Sequence, residues 1–179
     1  IGILKFTQNE LDDFSFHKEL EMGAFSKHSM YGYELVKNKD LDQSIKQAVL
    51  THHEHADGSG FPLGVDNKSL NPIQRVIEIV DVYDTLLMRE PGFKRMSPFE
   101  VLIHLNEVEG NKYDPSALLI FTSRLAQTFI QCRVRLNNGQ EGKIVLFNNY
   151  SILRPLIQIG SGFVDLALRK DLNIVELLD

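Results

Sequence analysis

Apolar residues recur at helical spacing from Ile1 to Gln127 and then, from Cys132 onward, at every second position. The first stretch is predicted to be mostly helix and Arg133 to Leu178 mostly strand. Asp40 with Gln43 three residues on has the form of a capping box, and Leu41, Ile45, Ala48, Val49 and His52 continue it as one helical face. Asn71-Pro72 pairs a cap with a first-turn proline. Behind it Ile73, Val76, Ile77, Val80 and Leu87 form an apolar stripe that Asp84 interrupts. Ser97-Pro98-Phe99-Glu100 is a second capping box, whose helix is expected to pass Leu105 and stop at Gly110. Asp114-Pro115 opens another, through Leu118, Phe121, Leu125 and Phe129, and Phe16 to His28 is helix-like with weaker caps.

In the second stretch Cys132, Val134 and Leu136 alternate with Arg133 and Arg135, and Asn138-Gly139 is a hairpin turn signal because both residues tolerate positive φ. Ile144 to Phe147 reads as the return strand. Leu156 to Ile159, Phe163 to Leu168 and Ile174 to Leu177 read as further short strands, with Gly160-Ser161-Gly162 as a turn. The pattern divides the chain into a helical domain, 1–130, and a small β-rich C-terminal appendage, 131–179.

Composition narrows the picture. The chain has 179 residues, 43% of them hydrophobic, enough for a core and against disorder. A net charge of -5 gives no general reason to expect DNA or a membrane surface as partner. The one cysteine, Cys132, allows no internal disulfide and fits a reducing cytoplasm; it reads as a small buried residue of the first strand. A chain that opens on Ile1 rather than Met is expected to be a piece of a longer one.

Candidate chemistry is concentrated in Thr51-His52-His53-Glu54-His55. Adjacent helical histidines point about 100° apart and can reach two metals, or one metal and one substrate oxygen. Imidazole is a common ligand for iron, manganese and zinc; the competing reading is a solvated helix end. Asp81 lies in the apolar run Val76 to Asp84, where an unpaired carboxylate is costly to bury and requires a cation or several donors. An ion pair with Arg75 is the structural alternative, and Asp84, three residues on, is a candidate to orient a ligand histidine. Asp57-Gly58-Ser59-Gly60-Phe61-Pro62-Leu63-Gly64 reads as a tight loop whose backbone N–H groups can cradle a phosphate, or as an ordinary turn.

Taken together, these residues resemble the HD-GYP family of metal-dependent cyclic-di-GMP phosphodiesterases. The family's His-His-Glu triplet stands as His52-His53-Glu54 and its Asp-Gly-x-Gly-Tyr-Pro as Asp57 to Pro62. Its following Asp-x-x-Asp pattern stands as Asp81 to Asp84, and Lys27-His28-Ser29-Met30-Tyr31-Gly32 looks like its Lys-His-Pro stretch. Ser97 to Leu105 and Tyr113-Asp114-Pro115 resemble its closing helices, so the likeness runs from Ile1 to about Leu125.

The resemblance implies a mostly α chain, an HD-type helical bundle carrying the β-rich appendage. It implies metal ligands at His28, His52, His53 and Asp81, with His52, His53 and Asp81 catalytic. They would hold two or three iron ions, or manganese, which activate a hydroxide to attack phosphorus. Substrate contacts are implied at Gly60, Phe61, Arg89 and Lys94, with Arg95 a further cation nearby. The implied partner is cyclic-di-GMP, alongside an upstream regulatory domain or a signalling protein.

Four departures matter. The family's His-Asp pair falls before Ile1, its following lysine is Ile3, the Tyr of Gly-Tyr-Pro is Phe61, and its Arg-Pro-Tyr-Arg/Lys stretch reads Met88-Arg89-Glu90-Pro91-Gly92-Phe93-Lys94-Arg95, with the arginine shifted or replaced. The alternative function is therefore a catalytically weak cyclic-di-GMP-binding signalling module. A generic HD hydrolase for another nucleotide is disfavoured by the glycine-rich loop. His17 and His104 match no motif position, and His55 is not a family ligand.

Overall fold

The computed structural model describes residues 1–9, 24–88, 96–148 and 151–178. They belong to two compact units, Ile1–Val82 with Asn111–Ala117, and Tyr83–Gly110 with Leu118–Asp179.

In the first unit a 3-10 turn, Gly2–Lys5, packs against α1 (Ala24–Val36). The contact is backbone on backbone. A Cβ on Gly2 would stand 1.6 Å from the His28 carbonyl oxygen and 2.7 Å from Gly32 N, so only glycine fits. Phe6 seals the edge against Tyr31, with ring centroids 5.8 Å apart.

Helix α2 (Gln43–Thr51) packs on α1. Its cap is Asp42, not Asp40: the Asp42 carboxylate accepts from Ser44 N at 2.7 Å and from Ser44 Oγ at 2.6 Å. Helix α3 (Pro72–Leu87) begins at the expected cap. Asn71 Oδ1 accepts from Ile73 N and Gln74 N, while Gln74 Oε1 accepts from Asn71 N.

The second unit holds α4 (Pro98–Ile103), opened by the full Ser97/Glu100 capping box. The sequence pattern extends this helix to Gly110, but at His104 it widens into a π-helical turn, His104–Val108. The side chain of Asn106 accounts for the change. Its amide donates to the Leu102 carbonyl at 2.8 Å, taking the acceptor that its own main-chain N–H would use in an α-helix. Helix α5 (Pro115–Thr128) starts from Asp114, whose Oδ1 accepts from Ala117 N at 2.9 Å.

The strands are β1 (Arg133–Leu136), β2 (Glu141–Asn148), β3 (Ser151–Ile159), β4 (Gly162–Asp165) and β5 (Ile174–Leu177). They form one antiparallel sheet in the order β4-β3-β2-β1-β5. At the β1–β2 turn Gly139 adopts φ 83° and Asn138 keeps a negative φ. The fourth strand stops short of Leu168 because Asp165 turns the chain. Its side chain accepts from Ala167 N and its carbonyl from Leu168 N and Arg169 N. Val134, Leu136, Ile144, Phe147 and Ile157 of the sheet and Leu166 just after β4 pack with Phe99, Leu102, Ala126 and Phe129 in one continuous core. The described residues thus carry a five-stranded sheet alongside five α-helices. None of these helices is long and apolar enough to cross a membrane.

Candidate metal centre

His28 projects from the middle of α1, and His52 and His53 follow directly on the end of α2, where His52 is the C-cap. The packing of α2 on α1 therefore brings them together. His28 Nε2 lies 3.0 Å from His52 Nε2 and 3.1 Å from His53 Nε2, and one nitrogen from each ring falls within 4.8 Å of the other two. His28 is buried and the other two are half-buried.

The donor chemistry fits a cation. His52 Nδ1 is 3.0 Å from the Val49 carbonyl, which can only accept, so the proton is on Nδ1 and Nε2 presents its lone pair. His53 Nδ1 lies 3.4 Å from Asp81 Oδ2, an arrangement that favours the same tautomer. A proton on His28 Nε2 would then be shared between two lone pairs, whereas one divalent ion satisfies all three. Nitrogens 3.0–3.1 Å apart are also close enough for one ion to be shared among them. The His52 and His53 rings are held neutral. Burial lowers the His52 pKa against the backbone hydrogen bonds that raise it. Burial first, then the neighbouring His52, His28 and His55, push His53 down to about 2.

Stability of the metal-free protein is expected to follow from this. Below the ordinary pKa of 6.5, the unfolded chain takes up protons that folded His52 and His53 refuse. Stability is therefore full above that value and lost as pH falls through it. Urea midpoints in chelator should drop between pH 7.5 and 5.5, and His53→Gln should show a smaller drop. A midpoint that does not move over that range contradicts the neutral cluster.

Asp81 sits beside the cluster rather than among the converging nitrogens, its side chain 36% exposed. Arg75 is not its partner; that guanidinium donates to the Asn67 carbonyl and lies 3.4 Å from Asp114. Asp84 is exposed, and the orienting position expected of it is the one Asp81 occupies. His104 belongs to the second unit, 3.8 Å from Glu109. His17, Arg89, Lys94 and Arg95 lie outside the described residues.

The glycine-rich loop is folded back on the triplet. Glu54 is fully buried, and its two carboxylate oxygens accept from Leu63 N at 2.6 Å and Val65 N at 2.9 Å. Gly58 N donates to the His55 carbonyl, Phe61 N to the His53 carbonyl and Ser59 N to Asp57. The amides of residues 58, 59, 61, 63 and 65 are thus used within the loop, which corrects the expectation that they stand exposed for a phosphate. Gly60 is required by close approach, since a Cβ there would lie 2.3–2.4 Å from backbone atoms of His53, Glu54 and His55. Phe61 stacks on His53, centroids 4.7 Å apart and planes 28° from parallel.

Sequence reasoning missed one pair. Glu78, its side chain 1% exposed, meets His55 Nδ1 at 3.2 Å. Burial raises the Glu78 pKa and the contact with His55 opposes the rise. The signal was present: Glu78 interrupts the same apolar run as Asp81. A cavity of about 350 Å³ also opens beside His28 and His52, walled by Ile45, Ala48, Val49, Ile73 and Ile77.

Known proteins place these features. An HD domain family model matches residues 17–117. The chain is 24% identical over 140 residues to cyclic di-GMP phosphodiesterase PA4108 of Pseudomonas aeruginosa, covering 78% of this chain and 34% of that protein. It is 35% identical over 97 residues to 3'3'-cGAMP-specific phosphodiesterase 2 of Vibrio cholerae, covering 53% of this chain and 19% of that one. Among solved structures, Bd1817 of Bdellovibrio bacteriovorus, described as a HDG"Y"P protein, superposes with a TM-score of 0.50 at 21% identity, over 65% of this chain and 37% of its own. This chain spans about a third of the length of the first of these relatives. By the family match, the motifs and the shared fold, this chain belongs to the HD domain family, in its HD-GYP branch.

Proposed function

We propose that this chain carries the hydrolytic centre of a metal-dependent phosphodiesterase for cyclic dinucleotides, with cyclic-di-GMP as substrate. The convergence of His28, His52 and His53 carries the reading. They would hold the metal, iron in two or three ions or manganese. Asp81 would join them as a ligand with the oxygen not turned to His53. Bound metal supplies Lewis acidity at phosphorus and acidifies the attacking water.

The chain's own residues orient and exclude. His52 is aimed by the Val49 carbonyl and His53 by Asp81. Gly60 and Phe61 would line the substrate side, and Arg89 and Lys94 would meet phosphate. The setting is proposed to be cytoplasmic, with an upstream regulatory domain or a signalling partner, and the domain division is proposed at 130/131.

One observation favours a second reading, a cyclic-di-GMP-binding module with weak turnover. Phe61 beside His53 has no hydroxyl to donate, and Ile3 has no charge to offset phosphate. A donor aimed at developing charge contributes about 10²–10³ in rate. Affinity and turnover measured in one iron- or manganese-loaded preparation separate the two. Micromolar binding with turnover of order 1 s⁻¹ or faster supports the enzyme. The same binding with far slower turnover, rescued by Phe61→Tyr, supports the module. No binding of cyclic-di-GMP with cleavage of 3'3'-cGAMP would move the substrate, and neither would remove the assignment.

A further inference from the structure

We infer that Phe61 is a positioning residue of the metal centre, holding His53 by ring stacking so that its Nε2 stays aimed at the other two histidines. The inference rests on the reading of the three histidines as ligands. A histidine's outer side-chain torsion is broad and nearly two-fold, so an imidazole does not fix its own direction. Asp81 meets the His53 Nδ1 at 3.4 Å, and rings bound the rest of His53: Phe61 stacked at 4.7 Å, His28 edge-on at 4.9 Å and His52 tilted at 4.2 Å. Of these, only Phe61 is not itself a ligand, so it can hold the imidazole whether or not an ion is bound.

Phe61 is held in turn by the residues next to the ligand. Its N–H donates to the His53 carbonyl at 3.0 Å. Two and four residues later, Leu63 N and Val65 N donate to Glu54, the neighbour of His53 and a fully buried residue. Gly60 lets the preceding backbone lie directly on His53, Glu54 and His55. The loop therefore leaves the triplet and returns to it, and the ring it delivers covers the imidazole that the same triplet provides. The stack needs an aromatic ring and not a hydroxyl, so Phe serves this role as fully as Tyr would.

The test uses the whole chain and Mn²⁺ alone, without substrate. Phe61→Leu and Phe61→Met keep volume and remove the ring; Phe61→Tyr keeps the ring. Mn²⁺ affinity, by calorimetry, should weaken roughly 10-fold in the Leu and Met variants, the scale of losing a group that orients a ligand, and stay within about twofold in Tyr. In the metal-free protein, the His53 ring protons should show an upfield ring-current shift from Phe61 that Leu and Met reduce and Tyr retains. Leu or Met binding Mn²⁺ as the unaltered protein does, or Tyr losing as much as they do, would overturn the inference. An unaltered protein that binds no Mn²⁺ would instead remove the ligand reading on which it rests. Unshifted His53 ring protons would overturn the stack itself.

Discussion

His53→Ala is expected to weaken divalent-metal binding by more than about 100-fold and to abolish any turnover. Losing a group that merely orients a ligand histidine costs about 10–100-fold in metal affinity, and here a ligand itself is removed. His28 Nε2 lies 3.1 Å from His53 Nε2 and 3.0 Å from His52 Nε2, so removing His53 leaves a two-nitrogen site. The same change takes away the face on which Phe61 stacks and the partner of Asp81. Asp81→Asn should also weaken binding, by about 10-fold or more, because the carboxylate both orients His53 and is proposed as a ligand. His104→Ala, in the other unit, should leave affinity unchanged. Calorimetric titration of the four proteins checks this. Binding within 10-fold of normal in His53→Ala would place the metal elsewhere.

Gly60→Ala is expected to destabilise the chain by about 2–3 kcal/mol, the upper range for forcing atoms into a packed interior. The added Cβ would meet His55 N at 2.3 Å and Glu54 Cα and the His53 carbonyl oxygen at 2.4 Å. All three are backbone atoms, so no side chain can swing aside. Relief requires the loop to lift, which stretches the hydrogen bonds from Leu63 N and Val65 N to buried Glu54. Metal affinity should fall with stability, because the lifted loop carries Phe61 off His53. Urea midpoints for the unaltered protein, Gly60→Ala and Gly139→Ala calibrate the effect. Gly139 has a positive φ but nothing within 4 Å of its Cβ position, so it reports strain without a clash. A Gly60→Ala midpoint no lower than that of Gly139→Ala would show that the close approach is not sustained.

Local chemistry was the legible part of the sequence. Asn71, Ser97 and Asp114 cap helices as their neighbours predict, because a cap is satisfied within three or four residues. The change of hydrophobic period falls one residue before β1, because alternation follows from the pleat itself; Cys132, expected as a buried residue of that strand, lies just outside it and is half-buried. His28, His52 and His53 converge as motif spacing implies. What escaped depends on groups distant in sequence or on competition between neighbours. Asp42 outcompetes Asp40 for the cap because Ser44 offers it two donors. Asn106 breaks an apparently regular helix because it also bonds Thr122, sixteen residues on. Glu54 reads as part of a metal motif, yet its carboxylate holds the loop. Glu78 interrupts an apolar run, which marks it as unusual, but its partner His55 lies twenty-three residues away in the loop after α2, and no local pattern names that partner.

His28, His52 and His53 are proposed to form one metal site. The most direct measurement is metal content per chain after iron or manganese loading and desalting, in the unaltered protein and in His28→Ala. At least one bound ion per chain is expected in the first and a loss of most of it in the second, although His28 lies on α1 and the two retained histidines follow the end of α2. Metal that is absent from the unaltered protein, or retained in full without His28, would contradict it.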